Sequence, residues 1–127
     1  MSGARNIINS VKKHWQVVED YLAGAEISIE ELRRTFVAMR ELLSKFSNKI
    51  LSSDLSSEIK SLLQRDIGDF ESNLAIIASF MELCAFSFKD SKTLNSLLRG
   101  FINGRIESIL PSIRLSVYER IAELIDP

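Results

Sequence analysis

Between Leu94 and Leu110 the apolar residues Leu94, Leu97, Leu98, Phe101, Ile102, Ile106, Ile109 and Leu110 recur at steps of three and four. That spacing puts them on one broad stripe of a helix, so the segment is predicted to be helical and to face a core. Gly100 and Gly104 lie inside it, one turn apart. An interior glycine costs a helix roughly 0.5–1 kcal/mol relative to alanine, so the pair is expected where another element comes close.

The same pattern divides the rest of the chain. A first helix is predicted from about Asn6 to Ala23, striped by Ile7, Val11, Trp15, Val18 and Leu22, with Gly24 placed for a left-handed cap. A second starts at Ser28, where Ser28-Ile29-Glu30-Glu31 has the form of a capping box. Leu32, Phe36, Met39, Leu43, Phe46 and Ile50 follow at helical spacing. Ser52, Ser53 and Asp54 break the pattern and offer N-caps for a third helix, from about Leu55 to Ala85. Its expected inner face is Leu55, Ile59, Leu62, Leu63, Ile67, Phe70, Leu74, Ile77, Phe80, Met81 and Cys84, with Gly68 as a kink or a point of close approach. Residues 86–91 read as a linker, and Asp90 or Ser91 can cap the fourth helix. Pro111 closes that helix, because the residue before proline is pushed out of the helical region. A last helix is predicted from Ser116, where Ser116-Val117-Tyr118-Glu119 has the capping-box form again. No strand alternation occurs. The fold class is all-α, a single helical domain over residues 1–127 with about five helices.

Composition changes this picture in one respect. Apolar residues make up 46% of the 127, and mean hydropathy is positive. A domain this small cannot easily bury so much, so part of the apolar surface is expected to meet a partner. Leu74 to Phe88 is the most hydrophobic stretch, but it contains Glu82 and falls short of the roughly 20 residues that span a bilayer. The N-terminus lacks the apolar run of a signal peptide. A soluble, intracellular protein is expected, cytoplasmic or, in a eukaryote, nuclear. One cysteine excludes an internal disulfide.

Candidate chemistry is sparse. His14 is the only histidine and has no ligand at metal spacing, and Cys84 sits on an apolar face that would not activate a thiol. Asp66, Asp69 and Glu71 spread around their helix and lack the glycine pattern of a calcium loop, so a solvated or arginine-paired cluster is expected. No phosphate loop, nucleophile elbow or metalloprotease motif is present. No catalytic residue, metal or cofactor is expected, and the chain does not read as an enzyme. A net charge of −1 gives no support to broad electrostatic binding of nucleic acid. Lys12, Lys13, Arg33, Arg34 and Arg40 are the candidate phosphate contacts, provided they converge on one face; otherwise they form solvated surfaces.

One pattern carries a resemblance. Phe101-Ile102-Asn103-Gly104-Arg105-Ile106-Glu107-Ser108-Ile109, followed by Leu115-Ser116-Val117-Tyr118-Glu119, resembles the helical domain of GINS subunits, in the class where that domain comes first. In that family the long helix carries Tyr-Leu-Arg-x-Arg-Leu-x-Lys-Ile and a short helix opens on Leu-Ser-Pro-Glu-Glu. Phe101 takes the aromatic place, Ile102 and Ile106 the aliphatic ones, Arg105 the second arginine and Ile109 the last isoleucine. Asn103 and Ser108 replace the first arginine and the lysine. The likeness covers residues 55–125, without the β-domain that usually follows. It implies a non-catalytic scaffold that pairs with a second GINS-type subunit and meets the MCM helicase and a RecJ-like protein. It further implies protein contacts at Gly100, Phe101, Gly104, Arg105, Ile109 and Tyr118, with Arg105 paired to an acid on the third helix. The alternatives are a small helical nucleic-acid-binding subunit of a ribonucleoprotein complex and a free-standing homo-oligomeric bundle.

Overall fold

The protein is described by a computed structural model over residues 3–126, which contain five helices and no strand. They are α1 (Ala4–Leu22), α2 (Ile29–Leu51), α3 (Ser57–Ser87), α4 (Ser91–Ile109) and α5 (Pro111–Ile125). Local chemistry sets most of their ends. Gly24 adopts φ +109° just beyond α1, where any side chain would be strained. The hydroxyl oxygen of Ser28 accepts the Glu31 N–H at 3.1 Å, and the Asp90 carboxylate accepts the Lys92 and Thr93 N–H groups. Ser28→Ala leaves that donor of α2 to water and is expected to lower stability by about 1 kcal/mol, read from the urea midpoint at unchanged m-value.

Two boundaries differ from the sequence reading. α3 starts at Ser57, and its cap is Ser56, not one of residues 52–54. α5 starts at Pro111 rather than Ser116, so the Ser116…Glu119 pattern lies inside a helix and caps nothing. Proline ends one helix and begins the next: it disfavours helical geometry at Leu110, yet its own fixed φ and missing N–H suit a first helical position. Leu110 resolves the conflict in the left-handed region, at φ 49° and ψ 54°.

Contacts between helices fix the topology. Ser47 of α2 bonds Gln64 of α3, and Arg33 reaches Glu82, so these two run antiparallel. Phe80 stacks on Phe101 of α4, while Asp66, nearer the start of α3, meets Arg114 and Tyr118 of α5. Tyr21 at the end of α1 meets Asn95, and Lys12 meets Glu119. α4 and α5 are therefore one broken fourth helix, antiparallel to α1 and α3, and the chain forms an up-down-up-down bundle.

The fourth helix also crosses the bundle: α4 lies mainly against α3 and α5 mainly against α1. Tyr118 has Phe46 and Phe70 beside it, at centroid distances of 5.5 and 6.3 Å, and ties α5 to α2 and α3. All six apolar stripe residues of α2 are buried. Near the start of α3, Ile59 and Leu62 instead stay 44% and 60% exposed, because α5 leans towards α1 and leaves them uncovered. α3 is a continuous 31-residue helix, long and apolar enough by length and composition alone to pass for a membrane span, as core helices also do. One row of it, Leu63, Ile67, Phe70, Leu74, Ile77, Met81 and Cys84, is core here.

Candidate interaction surface on α3 and α4

α4 buries Leu94, Leu98, Ile102 and Ile109, and turns Leu97, Gly100 and Gly104 outward. The glycines are not packing points inside the chain: a Cβ added at either would meet nothing within 4 Å. The close approach expected at this pair is therefore missing within the subunit. The two glycines leave bare backbone on the outer side of α4, next to Leu97 and Phe101 at helical spacing. Gly68 is also open, and it marks no close approach.

α3 supplies the other half of this face. Phe80 and Phe101 are half-buried and stacked, with ring centroids 4.0 Å apart and planes 20° from parallel. Ile76, Phe80 and Leu83 follow at four- and three-residue steps, and Ile76 and Leu83 are exposed. Phe86, read from the sequence as linker, is the last turn of α3 and stands 92% exposed. Between Ser72 and Met81, and again between Gly100 and Gly104, the sequence carries no charge. Exposed large apolar side chains thus gather beside two charge-free stretches of α3 and α4.

The other residues expected at an interface lie elsewhere. Ile109 and Tyr118 are fully buried core residues and cannot reach a partner. Arg105 makes no ion pair with a described residue of α3; its guanidinium lies over the Phe101 ring at 5.8 Å, and its Nε is buried without a hydrogen-bond partner. Asp66, one candidate partner for it, is held by Arg114 and the Tyr118 hydroxyl. The sequence does not mark Ile76, Leu83 and Phe86 as contact residues, because helical period shows which residues share a face but not which face the bundle covers.

The basic residues divide into two groups. Arg33, Arg34 and Arg40 border a groove of about 640 Å³ between α2 and α3, floored by Ala38, Ala75 and Ala78. Glu41 and Glu82 border it too, and Arg33 lies 3.0 Å from Glu30 and 3.8 Å from Glu82. Burial raises the pKa of the Glu71 carboxyl, against the opposing pull of Arg40. Lys12 and Lys13 stand on α1 away from this groove, with Lys12 paired to Glu119. The five do not converge on one face.

The remaining polar candidates are engaged locally. His14 Nδ1 lies 2.7 Å from the Ser10 carbonyl within its own helix. Burial pushes the Cys84 thiol above its ordinary pKa, away from the reactive thiolate. Among the described residues no three His, Cys, Asp or Glu side chains come together as a metal site. The chain matches no known protein family, no curated protein and no solved structure.

Proposed function

We propose that this chain is a non-catalytic assembly subunit that joins other protein through the outer face of α3 and α4. The observation that carries the reading is the bare Gly100/Gly104 stretch of α4 together with exposed Ile76, Leu83 and Leu97. A partner helix can approach bare glycine backbone closely and bury the flanking apolar side chains. The finer reading is a GINS-type scaffold, whose partners would be a second GINS-type subunit, the MCM helicase and a RecJ-like protein. Its support is the sequence likeness from Phe101 to Ile109. Gly100 and Gly104 are the members of that set on the open surface, and Phe101 and Arg105 lie partly buried beside them. A nucleic-acid role has less support, since the arginine groove carries acids and the α1 lysines lie apart from it.

Gly104→Leu separates folding from assembly. The position is open, so leucine fits the isolated subunit, and removing a helical glycine is expected to raise stability by about 0.5–1 kcal/mol. The same side chain blocks that close approach. The expected result is a folded, slightly more stable chain whose complex, measured by light scattering on co-purified material, falls to subunit mass. Unchanged assembly with a higher melting temperature would refute the interface.

A further inference from the structure

A second surface opens where the fourth helix breaks. Trp15 and Glu19 of α1 and Ile106, Leu110, Pro111 and Ile113 of the break enclose a groove of about 310 Å³. That is near the lower end of the roughly 300–1,000 Å³ of ligand pockets, with room for one or two large side chains. Three features set it apart from a packing defect. Its walls are almost wholly hydrocarbon, with Ile113 61% exposed at the mouth. Leu110 is held at φ 49°, where a non-glycine residue costs on the order of 1–2 kcal/mol, and its side chain is half-exposed at the wall instead of buried. The charged side chains lining the groove are both carboxylates, Glu19 and Glu107. Lys12, on the same helix, is occupied by Glu119.

We propose that this groove docks a basic amphipathic segment of a partner protein. One apolar side chain would enter between Trp15, Ile106 and Ile113, and flanking Lys or Arg residues would pair with Glu19 and Glu107. The sign of the rim selects this occupant: two carboxylates beside an apolar slot repel acidic segments and anionic lipid surfaces, and attract cations on either side of an anchor. The site opens on the α1 side of the fourth helix, and its test does not depend on the α3–α4 face.

Trp15 is the only tryptophan and lines the groove, so its emission reports occupancy. The probe is a synthetic amphipathic helix of leucine and lysine, compared with one of the same pattern made from leucine and glutamate. The Leu/Lys helix is expected to bind the full chain and shift Trp15 emission, while the Leu/Glu helix does not. Ile113→Ser and Glu107→Lys, both at exposed positions, are each expected to weaken binding about tenfold, and Leu97→Ser on the α3–α4 face to leave it unchanged. Equal binding of the two helices, binding of neither, or equal weakening by all three variants would overturn the proposal. Circular dichroism confirms that each variant is folded.

Discussion

Tyr118→Ala is expected to lower the free energy of unfolding by about 3–5 kcal/mol, the largest single loss predicted for this chain. Typical domains hold only about 5–15 kcal/mol in total, so the variant should be unfolded or barely folded at physiological temperature. The argument is geometric. Tyr118 is fully buried, and Phe46 of α2 and Phe70 of α3 pack against its ring. α5 lies mainly on α1, so Tyr118 is one of the few side chains that tie it across the core. Removing the ring leaves a cavity that three helices from separate parts of the chain must share. Alanine at exposed Val117, one residue away, is the control and should change stability by less than about 0.5 kcal/mol.

Tyr118→Phe keeps the ring and removes only the hydroxyl that donates to Asp66. A hydrogen bond to a carboxylate is worth about 1.5–3 kcal/mol. Asp66 keeps Arg114 and partial access to solvent, so the lower figure applies. The buried phenol also makes stability depend on pH. Burial, with Asp66 adding to it, holds the Tyr118 phenol well above its ordinary pKa of 10.0. The folded state then grips the proton more tightly than the unfolded chain. That contribution is complete below about pH 10 and declines as the pH rises above it, by about 1.4 kcal/mol per unit. Burial raises the Tyr21 phenol as well, with Arg99 opposing, and it follows the same sign. Phenolate absorbance should therefore appear together with loss of helical signal at alkaline pH, and Tyr118→Phe should flatten the decline. Tyrosines that titrate near pH 10 in a folded protein would contradict this account.

Local patterns were legible in the sequence where one helix face meets one continuous neighbour. α2 is the clear case: its stripe was read at three- and four-residue steps, and every member is buried. The reading weakened where the neighbour is broken. Ile59 and Leu62 carry the same periodic signal as Leu63 and Ile67, yet α5 turns away from them. Period records which residues share a face, not how far a partner helix extends. Ser116 shows a different limit. A Ser-x-x-Glu spacing caps a helix only when the serine is itself outside helical geometry, and Pro111 had already started that helix five residues earlier. Of the contact surface, the glycine pair and Phe101 were visible as an anomaly, since two glycines oppose helix propensity. Their exposure was not visible, because a tightly packed and an uncovered glycine look alike in a sequence.

Arg99 carries the second large effect, and it had no sequence signal at all, since its partners lie 74 to 78 positions earlier. Its Nε donates to the Tyr21 carbonyl at 2.9 Å and one terminal nitrogen donates to the Ala25 carbonyl at 3.4 Å. The guanidinium lies over the Tyr21 ring, 4.6 Å from its centroid, and the Tyr21 hydroxyl donates to Asn95 Oδ1 at 2.6 Å. The Tyr21 carbonyl also accepts the Gly24 N–H and Ala25 lies just beyond α1, so one arginine of α4 adds charged donors at the end of α1 and fastens the two together. Arg99→Ala is expected to cost about 2–3 kcal/mol, from charge-assisted hydrogen bonds and the cation–π contact. Arg99→Lys should recover less than half of it, because an ammonium cannot reach two carbonyls and cover the ring together. The partners are carbonyls and a ring rather than carboxylates, so little of the loss should depend on salt. Urea titrations at about 0.05 and 0.5 M salt, which differ severalfold in screening, should give the same difference between wild type and Arg99→Ala. A loss that halves at high salt would mean that Arg99 acts through an ion pair, and would remove its role in ending α1.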